Sequence, residues 1–311
     1  MLSPRGYGGA ERSPAQHAVR RLPARATESS GNACLADSTL PGGKDSRHQA
    51  DVGQAGSIGP DAMSRLAGKV ALVTGGSAGL GAAICTRFAN AGADVWVADL
   101  DPPVDAGQYI KTDVSDRDQL EAAFLKALKI AGRIDLLVSN AAIQPHGITL
   151  DDTTPELLDR VFKVNTHAVF YGLQLAGCYM ARGGSVINTS SFVGKIGVPN
   201  CPSYAASKAA VDHLTRVGAI ELASKGIRVN AVAPGLVMTP AVTGIPDNPE
   251  IGFMHARIPM GRIPSPDEIA PVFEFLASDE ASFVTGAVIP VDGGVAAGWK
   301  EYELKPPTWW K

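Results

Sequence analysis

The sequence predicts a doubly wound α/β domain, with a parallel sheet of about seven strands and helices on both faces, preceded by a disordered N-terminal extension over residues 1–62. Three observations point there. From Lys69 onward short apolar runs alternate with amphipathic stretches of helical length. Such runs read as strands buried on both faces, joined by right-handed crossovers. The first run ends in a glycine-rich turn that opens directly into a helix.

Residues 1–62 hold 21 Gly, Pro and Ser and no periodic apolar face. They cannot bury enough surface to offset their ordering entropy, so disorder is the expectation. Five Arg against two acids in the first thirty positions give a faint likeness to a transit peptide. A dispensable tail, or a start at Met63 just before the first structured element, is the stronger reading. The first strand covers residues 70–73, a helix 80–90, a strand 95–98, a helix 120–131 and a strand 134–138. Thr154-Pro155 supplies the N-cap and first position of a long helix that runs to near Gly183-Gly184. A strand at 186–188, a helix from about 203 to 225 and strands at 228–232 and 287–291 complete the pattern.

Composition excludes several classes of function. Of the 311 residues 45% are hydrophobic and 19% charged, the profile of a globular protein with a substantial core. A net charge of -3 provides no basic field for nucleic acid or an anionic membrane. No apolar run approaches the roughly 18 residues of a spanning helix, and no secretory signal opens the chain, so a cytoplasmic protein is expected. Cys34, Cys85, Cys178 and Cys201 are scattered without a Cys-x-x-Cys pair, and reduced thiols are expected. The six His show no metal spacing, so no metal is expected.

After the first strand stands Thr74-Gly75-Gly76-Ser77-Ala78-Gly79-Leu80-Gly81. Glycine lets the backbone turn sharply and approach a pyrophosphate, whose charge meets free N–H groups at the helix start. The spacing Gly75, Gly79, Gly81 differs from the commoner dinucleotide fingerprint, so the turn alone is a moderate signal. Asp99 ends the second strand, 24 residues after Gly75. A carboxylate there accepts hydrogen bonds from both adenosine ribose hydroxyls, which favours NAD. It repels a 2′-phosphate, and Ser77, Ala78 and Leu100 offer no cation to hold one.

Tyr204 and Lys208 lie four apart at the start of a helix and project from one face. An ammonium beside a phenol, aided by the positive end of the helix, is expected to lower the tyrosine pKa toward working pH. Tyr204 then exchanges a proton with an alcohol or carbonyl. By itself Tyr-x-x-x-Lys is weak, because such a helical pair is common.

Further matches occur in order along the chain. They are Asp113-Val114, Ser139-Asn140-Ala141-Ala142, Asn165, Ser190-Ser191, Pro234-Gly235-Leu236-Val237-Met238-Thr239 and Val291-Asp292-Gly293-Gly294. With the glycine turn and Tyr204/Lys208, residues about 66 to 295 resemble the short-chain dehydrogenase/reductase family. The resemblance implies one NAD-binding catalytic domain of Rossmann type over residues 63–311. It implies that Ser191, thirteen residues before Tyr204, polarises the substrate oxygen and that Tyr204 is the acid/base. Lys208 would bind the nicotinamide ribose and lower the Tyr204 pKa, while Asn165 would hold a relay water. Gly75, Ser77, Gly79, Leu80 and Gly81 would cradle the phosphates, and Asp113 and Val114 would flank the adenine. Asn140 would lie beside the adenosine ribose. Pro234 and Gly235 would also bind the cofactor, and Val237 with Thr239 would contact its carboxamide and phosphates. Ala142 replaces the family's usual Gly. A homotetramer or homodimer is also implied, with the helices of Asn165 and Tyr204 at the interface.

The segments expected to line the substrate pocket, residues 143–146, 192–193, 196–198 and 239–260, are mostly apolar. A neutral secondary alcohol or ketone, such as an alicyclic one, fits them. Lys195 and Arg257 are the nearest candidates to hold an anion. His146 reads as a solvated loop histidine and Cys201 as an inert loop thiol. The alternatives are a 3-oxoacyl-carrier-protein reductase, for which the long helix offers only Arg160, Lys163 and Arg182 as a basic surface, and a catalytically idle NAD-binding scaffold.

Overall fold

A computed structural model describes residues 65–103 and 108–298. The expectations for residues 1–62 lie outside the described residues. Strands β1 (Val70–Thr74), β2 (Asp94–Asp99), β3 (Gln108–Lys111), β4 (Leu136–Ser139), β5 (Ser185–Thr189), β6 (Arg228–Pro234) and β7 (Val288–Val291) form one sheet in the order β3-β2-β1-β4-β5-β6-β7. All six pairings are parallel.

Side-chain alternation divides the core into two layers. Leu72, Trp96 and Leu137 point to one face, where they meet α2 (Arg117–Ala131), α4 (Ala168–Tyr179) and α5 (Pro202–Ala223) through residues such as Phe124, Leu175 and Val211. Their strand neighbours Ala71, Val73, Val97 and Val138 point to the other, against Ile84 and Phe88 of α1 (Gly79–Asn90) and Phe273 of α8 (Pro266–Ala277). Both layers read as continuous apolar strands in the sequence because both faces are covered.

The long helix expected from Thr154 is not one helix. It comprises α3 (Pro155–Phe162), a π-helical segment (Lys163–His167) and α4, and it ends at Tyr179 rather than near Gly183. The cap itself is as expected, since Thr154 accepts from the Leu157 N–H at 3.2 Å. Between β6 and β7 the chain adds α6 (Pro240–Thr243), α7 (Pro249–Arg257) and α8, which the apolar pattern leaves unmarked. Cys85 and Cys201 are free thiols. No described helix is long and apolar enough to cross a membrane.

Candidate active site

The strand order reverses between β1 and β4, and such reversals leave a crevice at the carboxyl ends of the strands. A cleft of about 820 Å³ lies there, lined by Gly75, Gly79, Leu80, Asp99, Asp113, Val114 and Asn140 together with Tyr204, Lys208 and Thr239. Gly75 and Gly79 hold φ of +64° and +55°. A Cβ on Gly81 would sit 1.9 Å from the Gly75 carbonyl oxygen, so only glycine closes this turn. Ala78 gives α1 no side-chain cap and its first turn holds no acid, whereas α2 and α3 are capped by Asp116 and Thr154. The uncapped start of α1 is thus available to an anion, as a dinucleotide pyrophosphate requires.

Asp99 is held by the Ser77 N–H on Oδ2 at 2.9 Å and by the Leu100 N–H on Oδ1 at 2.7 Å. Each oxygen keeps a lone pair, so the carboxylate can still accept from a ribose. Asp113 accepts from the Ser115 N–H and hydroxyl, and Val114 beside it is buried. Asn140 is committed to the protein: it donates to the Gly75 carbonyl at 2.9 Å and accepts from Thr189 at 3.2 Å, tying the glycine turn to β5.

Lys208 is buried, and its Nζ donates to the Thr189 carbonyl at 2.7 Å while lying 5.6 Å from the centre of the Tyr204 ring. Burial lowers its pKa to about 8, opposed by Asp212. Burial pushes the Tyr204 phenol up to about 12; its hydrogen bond with Ser191 lowers it in part, and Cys201 and Glu250 add to the rise. The expected fall in the Tyr204 pKa is therefore not found in the protein by itself. Desolvation outweighs the helix start, and the buried lysine is itself biased toward neutrality.

Asn165 lies in the π-segment, fully buried. Its Nδ2 donates to the Ile143 carbonyl and to Ser207, both at 3.0 Å, and its Oδ1 accepts from the Ile143 N–H at 2.9 Å. Ser207 in turn donates to the Tyr204 carbonyl at 2.7 Å. Asn165 thereby joins the loop after β4 to the first turns of α5. Ser191 stands at the end of β5 and accepts from the Val193 N–H at 3.4 Å, starting a short 3₁₀ turn. Gly194 ends that turn, where a Cβ would lie 2.9 Å from the Lys208 carbonyl carbon. This glycine, unmarked in the sequence, lets the Ser191 loop sit directly on α5.

A second cavity of about 520 Å³ is lined by Ser191, Phe192, Val193, Val198, Tyr204, Met254 and Phe253, together with Pro234, Gly235, Val237 and Thr239. Tyr204 and Thr239 line both cavities. His146 is half-buried and not merely solvated: it lines both cavities, and its Nδ1 lies 3.1 Å from Oε1 of Glu250 on α7. That partner is 104 residues away, beyond the reach of any local spacing. Cys201 lines the second cavity, half-buried, with its thiol pushed up by burial and by Glu250. No cluster of metal-ligating side chains occurs among the described residues.

Comparison with known proteins agrees with this architecture. The family profile described as enoyl-(acyl carrier protein) reductase matches residues 75–296. The chain is 42% identical over 246 residues to a 3-oxoacyl-[acyl-carrier-protein] reductase of Thermotoga maritima, covering 74% of this chain and 99% of that protein. It is 39% identical to the cis-4-hydroxycyclohexanecarboxylate dehydrogenase of Sinomonas cyclohexanicum, over 74% of this chain and 97% of that one. A solved structure of aldohexose dehydrogenase from Thermoplasma acidophilum superposes with a TM-score of 0.72 at 34% identity, covering 78% of this chain and all of its own. Glycine turn, reversed strand order and Tyr204 between two cavities thus coincide with relatives that are dehydrogenases and reductases, and the chain belongs to the short-chain dehydrogenase/reductase family of oxidoreductases.

Proposed function

We propose that this protein oxidises a neutral, apolar or alicyclic secondary alcohol with NAD, and reduces the matching ketone in reverse. The observation that carries the reading is the position of Tyr204: its side chain borders both the large cleft and the smaller, mostly apolar cavity. Likeness to a hydroxycyclohexanecarboxylate dehydrogenase supports a cyclic secondary alcohol.

The uncapped start of α1 and the close-packed glycine turn would hold the pyrophosphate, Asp99 the adenosine ribose, and Lys208 the nicotinamide ribose. Bound there, the dinucleotide supplies the hydride acceptor or donor. Ser191 donates to the substrate oxygen and fixes it toward Tyr204. Tyr204 takes the hydroxyl proton in oxidation and returns it in reduction. Lys208 stabilises the phenolate that forms, once charge nearby offsets its burial. Asn165 holds the relay path open beneath Tyr204 by fixing Ile143 and Ser207. Asp99 supports NAD over NADP, since a 2′-phosphate would face its charge and neither Ser77 nor Leu100 can offset it.

A second reading, reduction of 3-oxoacyl groups on an acidic carrier protein, is favoured by the 42% identity to the Thermotoga enzyme and by Arg160 and Lys163 along the large cleft. One screen separates the two: nicotinamide absorbance with NAD(H) and NADP(H) against cyclic secondary alcohols, cyclic ketones and an acetoacetyl thioester. Turnover of cyclic substrates with NAD(H) supports the first reading. Thioester reduction with NADPH alone supports the second. Nicotinamide binding without any turnover would leave the idle scaffold.

A further inference from the structure

We propose that Glu250 sets the charge specificity of the substrate cavity, so that this protein selects neutral alcohols and ketones and discriminates against those carrying a carboxylate. The inference rests on reading the 520 Å³ cavity beside Tyr204 as the substrate site. Among the described residues lining that cavity there is no Lys or Arg, and Glu250 is the one carboxylate.

Glu250 is held at two points, its backbone and its carboxylate. The Glu250 N–H donates to Asn248 Oδ1 at 3.0 Å, and the buried Asn248 donates from Nδ2 to the Val242 carbonyl at 3.0 Å. Its Oε1 meets His146 at 3.1 Å, which joins α7 to the loop after β4. Its charge is felt at Tyr204 and at Cys201, both pushed up in part by it.

The two cations that the sequence offers for an anion are both engaged elsewhere. Lys195 Nζ lies 3.9 Å from Asp212, which also accepts from Ser190. Arg257 stacks its guanidinium 3.6 Å from the centre of the Phe253 ring and does not line the cavity. A substrate carboxylate entering here would lose hydration, gain no Lys or Arg, find the one histidine already paired with Glu250 and face a like charge. Specificity of this kind comes from a repulsive element as much as from an attractive one. The substrate that names the Sinomonas relative carries such a carboxylate, so the two proteins should differ in preference.

The test compares 4-oxocyclohexanecarboxylate with 4-oxocyclohexanecarboxamide, which share a shape and differ by one charge. On the full chain with NADH, kcat/KM should favour the amide by roughly tenfold, mainly through KM, the scale of one like charge at partly screened range. Calorimetric binding of each compound to the NADH-loaded protein should show the same preference. E250Q should shrink that ratio by roughly tenfold and E250K should reverse it. Equal binding of the two compounds by the wild-type protein, or a ratio unmoved in both variants, overturns the proposal. Preferential binding of the amide without turnover of either ketone would instead refute the proposed reaction and leave the charge selection standing.

Discussion

The ammonium of Lys208 lies 5.6 Å from the centre of the Tyr204 ring and is anchored 2.7 Å from the Thr189 carbonyl oxygen. The lysine is therefore held on the end of β5, beside the phenol and not on its hydroxyl. With Tyr204 near 12 and Lys208 near 8, the protein without a dinucleotide holds a neutral phenol beside an ammonium below about pH 8, and burial biases both groups toward their uncharged forms. Activation of the phenol depends on whatever charge the cleft receives.

Stability should carry this signature. Lys208 titrates at about 8 in the fold against 10.5 when exposed, so the unfolded chain binds the extra proton between those values. The Lys208 contribution therefore rises with pH across that window, having been unfavourable below it. Tyr204 opposes it only above pH 10, where the fold holds the proton longer. Thermal melts of the dinucleotide-free protein from pH 7.5 to 9.5 should show a steeper rise in Tm for wild type than for Lys208→Met; parallel curves would refute the shift.

Replacing Tyr204 by Phe removes the hydroxyl and little volume. Turnover should fall by roughly two to four orders of magnitude, the usual contribution of a positioned acid/base. NADH affinity, read by fluorescence titration, should change less than about threefold because the ring remains. Turnover comparable to wild type would eliminate Tyr204 as the proton carrier.

Gly81→Ala places a methyl 1.9 Å from a backbone carbonyl, so the turn must open. Dinucleotide affinity should fall at least about tenfold, and Tm should drop with it, since overpacking commonly costs about 1–3 kcal/mol. Unchanged affinity would mean that the turn does not hold the cofactor.

Asp99→Asn keeps an acceptor for the Ser77 or Leu100 N–H and removes the charge. The ratio of kcat/KM for NADP over NAD should rise on the order of tenfold. A wild-type enzyme that already prefers NADP would invalidate the argument from Asp99.

Gly194→Ala tests positioning without touching a reacting group. A Cβ 2.9 Å from the backbone at Lys208 should push the Ser191 loop off α5. Substrate turnover should fall by roughly tenfold or more while NADH binding holds, because a shift of about 1 Å in a catalytic group is costly. Equal loss of both would indicate general unfolding.

Much of the fold is legible in the sequence because β1, β2 and β4 are apolar on both faces and the intervening helices carry one apolar stripe. The register of Asp99 with Gly75 is legible too, since it depends only on distance along one β-α-β unit. Helices α6, α7 and α8 escape the apolar pattern, although Thr239-Pro240, Asn248-Pro249 and Ser265-Pro266 repeat the cap-and-proline signal that marks Thr154-Pro155. The π-segment leaves no such mark, because an apolar helical stripe runs through it. The pairing of His146 with Glu250 and the pressure of Gly194 on Lys208 arise from tertiary approach, which no local period encodes.

The π-segment at Lys163–His167 holds one residue more than the α-turn it replaces. Straightening the five into an α-turn without losing a residue would rotate all that follows by about 100°. Val169, Leu173 and Ala176 would swing away from the sheet as Asn165 left Ile143. In hereditary terms, chain length is as constrained here as residue identity. Substitutions at the exposed positions of this stretch can accumulate one at a time, whereas a single lost codon would erase the widened turn that seats Asn165 while leaving the helix beyond it in phase.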